Sequence, residues 1–341
     1  LRDGGARLAR APPDRDSIML TLLLRRLPLI LLTVLGTAVL NFFLLKAVPG
    51  DLVDVIAVQS GSATPEYMAQ LRAAYGLDSS VLVQLGHYLL QLAHLDLGHS
   101  FRYNEAVLAL ITARLPATLA LVGSALLLAV VSGVLLGVAC AQRPHGWLDT
   151  LLSSLSTLGY SAPMFWTALM LIVLFGVHLE WLPVSGVEEI GSGLQGWALW
   201  VDRARHLVLP TVTLALYYLA VFMRLARASM IETLQQDFIR TTRAKGNRGW
   251  RIVWRHALRS AILPVVTMLG LQSSALLGGS IVVETVFAWP GLGQLSYDAI
   301  ANRDLNVLLG ILLFSAVLVV LSNLLVDVLY QWLDPRVRAS S

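Results

Sequence analysis

The sequence predicts an all-α polytopic membrane protein with six spans and both termini in the cytoplasm, and three observations carry that prediction. Only 13% of the 341 residues are charged, against about 25% in an ordinary soluble chain. The mean hydropathy is +0.70. Six apolar runs approach or exceed the roughly 20 residues needed to cross the hydrocarbon core. These are 27–48, 116–141, 151–177, 207–226, 261–283 and 306–333.

The first run, Leu27–Val48, follows a short basic flank, "LTLLLRRLPLI", behind Met19. It is too long for a removable signal and lacks a small-residue cleavage site, so it is expected to stay as an anchor. Residues 1–18 are polar, Arg-rich and without apolar periodicity. They are expected to be upstream or introduced sequence outside the domain, and disordered. The folded domain is placed at 19–338.

Orientation follows the cations. With both termini inside, the N-terminal arm carries six Arg, the 142–150 loop one, residues 224–260 nine Lys and Arg, and the tail two, eighteen in all. The outer segments hold six, and Lys46 sits near the outer end of the first run. That asymmetry is what the positive-inside rule describes.

Residues 50–115 form an extracytoplasmic helical insert. Thr64-Pro65 reads as an N-cap followed by proline at the first helical position, and Gly76 ends that helix. A second helix is expected from Ser80 to Leu95, with Leu82, Leu85, Leu89 and Leu92 at helical spacing. His87, His94 and His99 are closer to solvated surface histidines than to a metal site, because no Cys or tight His pairing accompanies them. Two amphipathic helices at the membrane surface suggest a platform for an external partner.

Several chemistries are missing. A P-loop needs G-x-x-x-x-G-K-[ST], but the two lysines precede Ala47 and Gly246, so neither can contact the phosphates of a bound nucleotide in that way. Hydrolase and zinc-enzyme signatures are missing too. The lone Cys140 allows no intramolecular disulfide. No catalytic, cofactor-binding or metal-ligating residue is therefore assigned. A proton- or ion-coupled carrier would depend on Asp327 or Lys46, and the inner-end position of Asp327 favours a structural partner. Gly133-x-x-x-Gly137 and Gly278-Gly279 permit close helix packing.

The least typical stretch is "RTTRAKGNRGWRIVWRHALRSAILP", Arg240–Pro264, with seven Lys and Arg and no acid. The fourth span is expected to run on into the cytoplasm as a helix through Phe238, and Gly246-Asn247 to break it. Beyond the break, Trp250, Val253, Trp254, Ala257, Leu258 and Ala261 are predicted on one face. Arg248, Arg251, Arg255 and Arg259 gather on the other. Anionic headgroups would hold the arginines. They do not account for a turn that projects inward, which suits a protein partner. Nucleic acid is excluded as a partner because both ends of the stretch enter spans.

"RTTRAKG" followed by "RHALRSAILP" resembles the coupling loop of permease subunits in binding-protein-dependent ABC importers, in the dipeptide/oligopeptide/nickel branch. "PGDL" at 49–52, "GLD" at 76–78, "HLDLGHSF" at 94–101 and "RLPATL" at 114–119 belong to the same resemblance. So do "SAPMFW" at 161–166, "ETVFAWPGLG" at 284–293 and "LDPRVR" at 333–338. In the family's E-A-A-x-x-x-G pattern, Arg240, Thr241 and Thr242 take the first three places and Gly246 the last. Thr242 departs from the small Ala usual there.

The resemblance implies a coupling loop at 227–260, with Asp237, Arg240, Thr241, Thr242, Lys245 and Gly246 docking on a separate ATPase subunit. It implies a second, homologous permease, two ATP-binding subunits that use ATP and Mg, and an extracytoplasmic solute-binding protein. Residues 64–100 and Pro290, Gly291, Leu292 and Gly293 are expected to face that protein. The location implied is the bacterial inner membrane, and the solute expected is a di- or oligopeptide. Nickel, glutathione and opine-type metal chelates share the architecture. A self-sufficient carrier and a membrane scaffold are the other classes considered.

Overall fold

Helix formation starts at Arg15, just beyond the breakers Pro12 and Pro13, in a computed structural model that describes residues 15–47, 64, 68–69, 79–100 and 102–333. Helix α1 spans Arg15–Ala47, four residues ahead of the boundary expected at Met19, because no glycine or proline interrupts Asp16–Leu27. Residues 1–14, "PGDL", "GLD" and most of the first outer helix lie outside the described residues. Of that helix, Met68 N–H donates to Thr64 O at 3.1 Å. The second outer helix is α2, Val81–Ala93. Its Tyr88 ring lies 5.8 Å from that of Phe42 on α1, and Leu82 points away, 79% exposed.

A short hairpin pairs β1, His99–Ser100, with β2, Glu105–Ala106, and leads into α3, Val107–Gln142. Next come α4, Trp147–Ser161, and α5, Met164–His178, which turns π-helical from Ile172. Together they replace the straight third span expected from 151 to 177. The two helices meet at 106°. The cause is local. Pro163 biases its predecessor away from the helical region, and Ala162 sits at φ −72°, ψ 136°.

Helix α6, Trp197–Leu234, is 38 residues long and contains Pro210. It is followed by α7, Asp237–Ala244, and α8, Gly249–Ala261, which is π-helical from Ile252 to Ala257. A 49° bend leads into α9, Leu263–Val286. The chain closes with α10, Leu292–Ala301, and α11, Leu305–Leu333. Helices α1, α3, α6 and α11 are long and apolar enough to cross a membrane, and counting each bent pair as one span makes six. The architecture is that of an all-α polytopic membrane protein.

The core is organised around α3 and α6, which share the longest seam. Gly133 and Gly137 make it possible. A Cβ on Gly133 would lie 2.8 Å from Phe222 Cβ, and one on Gly137 2.7 Å from the Met223 carbonyl and 2.8 Å from Ala226 Cβ. The spacing that is common in any apolar helix is here a true contact surface. Gly278, by contrast, has nothing within 4 Å of its missing side chain. A second apolar cluster joins α3, α10 and α11 through Val107, Ile111, Leu295 and Val307.

Two of the charges in the spans are tied to neighbours. Asp327 pairs with Arg26 at 2.8 Å, tying α11 to α1. Lys46 stands 5.9 Å over the Phe42 ring. These are structural placements, as the inner-end position of Asp327 suggested.

Candidate coupling and docking sites

The end of α6 departs from the expected continuous helix. It stops at Leu234, Gln235 holds φ −90°, ψ −10°, and Gln236 turns extended at φ −70°, ψ 151°. Helix α7 is therefore a separate eight-residue element rather than the tail of a span. Its one buried residue is Ile239, fully enclosed with Met230, Ile252 and Ala257 in the main core. Asp237, Arg240, Thr241, Arg243, Lys245 and Gly246 are exposed and Thr242 is half-buried. The expected coupling residues thus lie together on one short helix and the turn that ends it, held by a single apolar pin.

The local chemistry explains its ends. Gly246 has φ +77°, where glycine avoids the steric penalty of a side chain. Its N–H donates to Arg243 O at 3.0 Å, and Asn247 Nδ2 donates to Thr242 O at 3.3 Å. Thr242 fits where alanine is usual because its hydroxyl donates to Phe238 O at 2.7 Å. Asp237 and Arg240 are 3.3 Å apart on the open surface, a pair worth less than about 1 kcal/mol.

Helix α8 corrects the predicted faces. Ile252, Ala257 and Ala261 are buried, whereas Trp250 and Trp254 are 66% and 38% exposed beside Arg251 and Arg255. The π-helical stretch is the reason. Bonds from i to i+5 widen the turn, so residues five apart, Ile252 and Ala257, share the inward face. The outer tryptophans and arginines together suit a headgroup layer.

Where α6 leaves the core, Arg227 makes a bidentate pair with Asp149 at 2.6 and 2.7 Å. The Asp149 side chain is 5% exposed and also accepts the His145 N–H at 2.8 Å. This pair fixes the base of α4 against the helix that ends in α7.

On the opposite side, the Pro290–Gly293 turn, expected to face an external protein, packs largely inside the chain. Gly291, Leu292 and Gly293 are buried, and Pro290 is half-buried. They surround Glu284, which is fully enclosed. Its carboxylate accepts Thr118 Oγ1–H at 2.9 Å and Gln294 N–H at 3.0 Å, while Thr118 Oγ1 accepts Leu292 N–H at 2.7 Å. A Cβ on Gly291 would fall 2.3–2.5 Å from that carboxylate. The motif is therefore an internal clasp, in which a carboxylate caps the first turn of α10 and glycines make room for it.

The exposed surface at this end lies elsewhere. The 179–196 segment has Gly186, Gly191, Gly193 and Gly196 at positive φ and Ile190 98% exposed at its tip. It is fastened by Glu189 N–H to Asp202 Oδ2 at 2.8 Å and by Arg203 to Glu188 at 2.9 Å. Trp181, Trp197 and Trp200 are exposed beside it. Three tryptophans and four glycines between two apolar runs were the available signal, and sequence reasoning passed over them. His87 lies on α2 and His94 caps its C-terminus, where His94 Nδ1 is 2.8 Å from Leu90 O. Among the described residues no three His, Cys, Asp or Glu side chains are placed to hold a metal.

The chain is similar to known proteins over most of its length. Residues 133–339 match the family model described as "Binding-protein-dependent transport system inner membrane component". Residues 19–122 match the model for the N-terminal part of such components. The dipeptide transport system permease protein DppB of Escherichia coli K12 is 40% identical over 337 residues, covering 94% of this chain and 99% of that one. The di/tripeptide transport system permease protein DppB of Pseudomonas aeruginosa is 39% identical with the same coverage. Among solved structures, the MetNI methionine ABC transporter in inward-facing conformations superposes with a TM-score of 0.52 at 20% identity, over 67% of this chain and 97% of that one. That last likeness concerns the fold alone. On the two family matches and the near full-length relatives, the chain belongs to the family of binding-protein-dependent transport system inner membrane components.

Proposed function

We propose that this chain is one half of the transmembrane pathway of a peptide importer and that α7 is the element through which separate ATPase subunits drive it. The observation that carries the coupling role is α7 itself, an exposed eight-residue helix pinned by Ile239 and set between the ends of two spans. The peptide assignment rests on the relatives named as dipeptide and di/tripeptide permeases. The eighteen-to-six cation asymmetry supports both termini and α7 on the cytoplasmic side of a bacterial inner membrane.

A second, homologous permease completes the pathway, two ATP-binding subunits use ATP and Mg, and an extracytoplasmic binding protein delivers the solute. The binding protein docks on α2 and the 179–196 segment, the outer surfaces that remain exposed once the 290–293 turn is internal. The test is reconstitution of the chain with its sister permease, ATPases and binding protein in proteoliposomes. Binding-protein-stimulated ATP hydrolysis and accumulation of labelled dipeptide are expected together. Accumulation of nickel, glutathione or an opine chelate in place of dipeptide overturns the peptide assignment.

A further inference from the structure

Helices α4 and α6 run antiparallel, and their register is marked by three contacts. Asp149 meets Arg227, Ser156 Oγ–H donates to Met223 Sδ at 2.8 Å, and the Tyr160 ring stacks on Tyr217 at 4.9 Å and 26°. Arg224 lies between the first two pairs in this register. Its guanidinium reaches away from the α7 end of α6 and lies over the Tyr160 ring, 5.3 Å from the centroid.

That direction is unexpected for a membrane arginine. Long cationic side chains near a span end normally extend toward the nearer headgroups. Arg224 instead reaches back along the span, has no carboxylate partner among the described residues, and is exposed in the single chain. Tyr160 is 39% exposed beside it. A cation at such a place with no carboxylate partner among the described residues faces water or protein rather than lipid tails. On the importer reading above, the exposed face it occupies is assigned to the aqueous seam between two permeases.

We propose that Arg224, Tyr160 and Tyr217 form a station on the translocation pathway that takes the α-carboxylate of a passing peptide. This inference rests on the peptide-importer reading above. A carrier of peptides of varied sequence can contact only what all peptides share, their termini and backbone. A free guanidinium matches a carboxylate bidentately, and two phenol hydroxyls offer donors to the last peptide carbonyl. An anionic lipid headgroup offers the same oxygen chemistry and is separated below.

The test uses the assembled importer in nanodiscs with Val221→Cys as reporter. Val221 lies on α6 one turn from both Tyr217 and Arg224 and is half-buried. The natural Cys140 is 1% exposed, so the unsubstituted importer serves as the blank. Labelling by a membrane-impermeant thiol reagent is expected, slowed at least fivefold by dialanine and not by dialanine amide. Arg224→Gln should abolish that protection and Arg224→Lys should keep part of it, with complex assembly unchanged in both. Reaction with a lipid-soluble maleimide alone places the face in lipid and overturns the proposal. Equal protection by the amide overturns it as well. So does protection that appears without peptide only when phosphatidylglycerol is present, which identifies a headgroup as the occupant. Dialanine uptake by the unsubstituted importer in proteoliposomes separates the two readings. No uptake overturns the peptide assignment and this inference with it, whereas uptake without protection overturns this inference alone.

Discussion

Gly137 and Gly278 are both glycines inside apolar helices, and they should respond to substitution in opposite ways. A side chain on Gly137 meets the Met223 carbonyl and Ala226 Cβ at 2.7–2.8 Å, so α3 and α6 must separate. Overpacking of this kind costs about 1–3 kcal/mol. Gly137→Val is expected to lower the unfolding temperature in detergent, while Gly278→Ala leaves it unchanged. Equal unfolding temperatures would show that the two helices do not depend on this contact. Gly246 tests backbone rather than packing. Nothing stands within 4 Å of its missing Cβ, but φ is +77°. Gly246→Val should carry strain of about 1–3 kcal/mol, and Gly246→Asn should be tolerated better because Asn enters the left-handed region more readily. The expected reading is a fall in both uptake and ATPase stimulation for the valine variant, with the asparagine variant between it and the parent. An unaltered valine variant removes Gly246 from the coupling mechanism.

Elements show where sequence reasoning was strong and where it was blind. The apolar runs that became α1, α3, α6 and α11 were legible because hydropathy needs only composition along the run. Direction is invisible to that measure, so the 106° turn at Ala162-Pro163 was absorbed into one span although the proline stood in plain view. The break at Gln235-Gln236 left no mark at all, since Gln is a good helix former and only tertiary packing ends α6 there. The Arg240–Gly246 pattern marked the residues proposed for coupling, but their mounting on a separate helix left no sign in it. In the sequence Glu284 stands only as the first residue of "ETVFAWPGLG". Its role as a clasp needs Thr118 and the first turn of α10, 166 residues away and ten ahead, to meet it in space. Glu284→Ala leaves the α10 amides and the Thr118 hydroxyl short of an acceptor, at about 1–3 kcal/mol for each group left unsatisfied. Increased protease cleavage between 287 and 305 in the folded protein is the expected sign, and unchanged cleavage would mean that α10 is held by apolar contacts alone. At the other end, Asp149→Asn breaks an ion pair whose carboxylate is 5% exposed and whose arginine is 27% exposed. Loss of one partner from a fully buried pair costs about 3–5 kcal/mol, and the partly open arginine puts this one at the low end. A double-variant cycle with Arg227→Gln measures the coupling, and simple additivity would deny it.

The molecule as a whole is polarised, with eighteen cations assigned to one side and six to the other. Lys245→Cys should therefore react with an impermeant thiol reagent in inverted vesicles and not in intact spheroplasts, and Ser192→Cys should do the reverse. Reversal of both results would turn the protein over in the membrane and place α7 out of reach of ATP. The two faces differ in construction as well as charge. The α7 face is a single helix with one buried pin, and the opposite face is a glycine-rich segment fastened by Asp202 and Glu188.

The uninterrupted length of α6 gives the protein a lever. At 1.5 Å per residue, 38 residues make a rod of about 57 Å, with Pro210 removing one backbone hydrogen bond about a third of the way along it. From Pro210 to Leu234 the arm is about 36 Å long, so tilting it by only 5° carries its tip about 3 Å. Arg224 lies more than halfway out on that arm, and a push at the tip reaches it reduced but not lost. A nucleotide-driven displacement too small to unfold or unpack anything at α7 would then still swing a peptide-holding guanidinium by about an ångström or two, comparable with the margin between a made and a broken hydrogen bond.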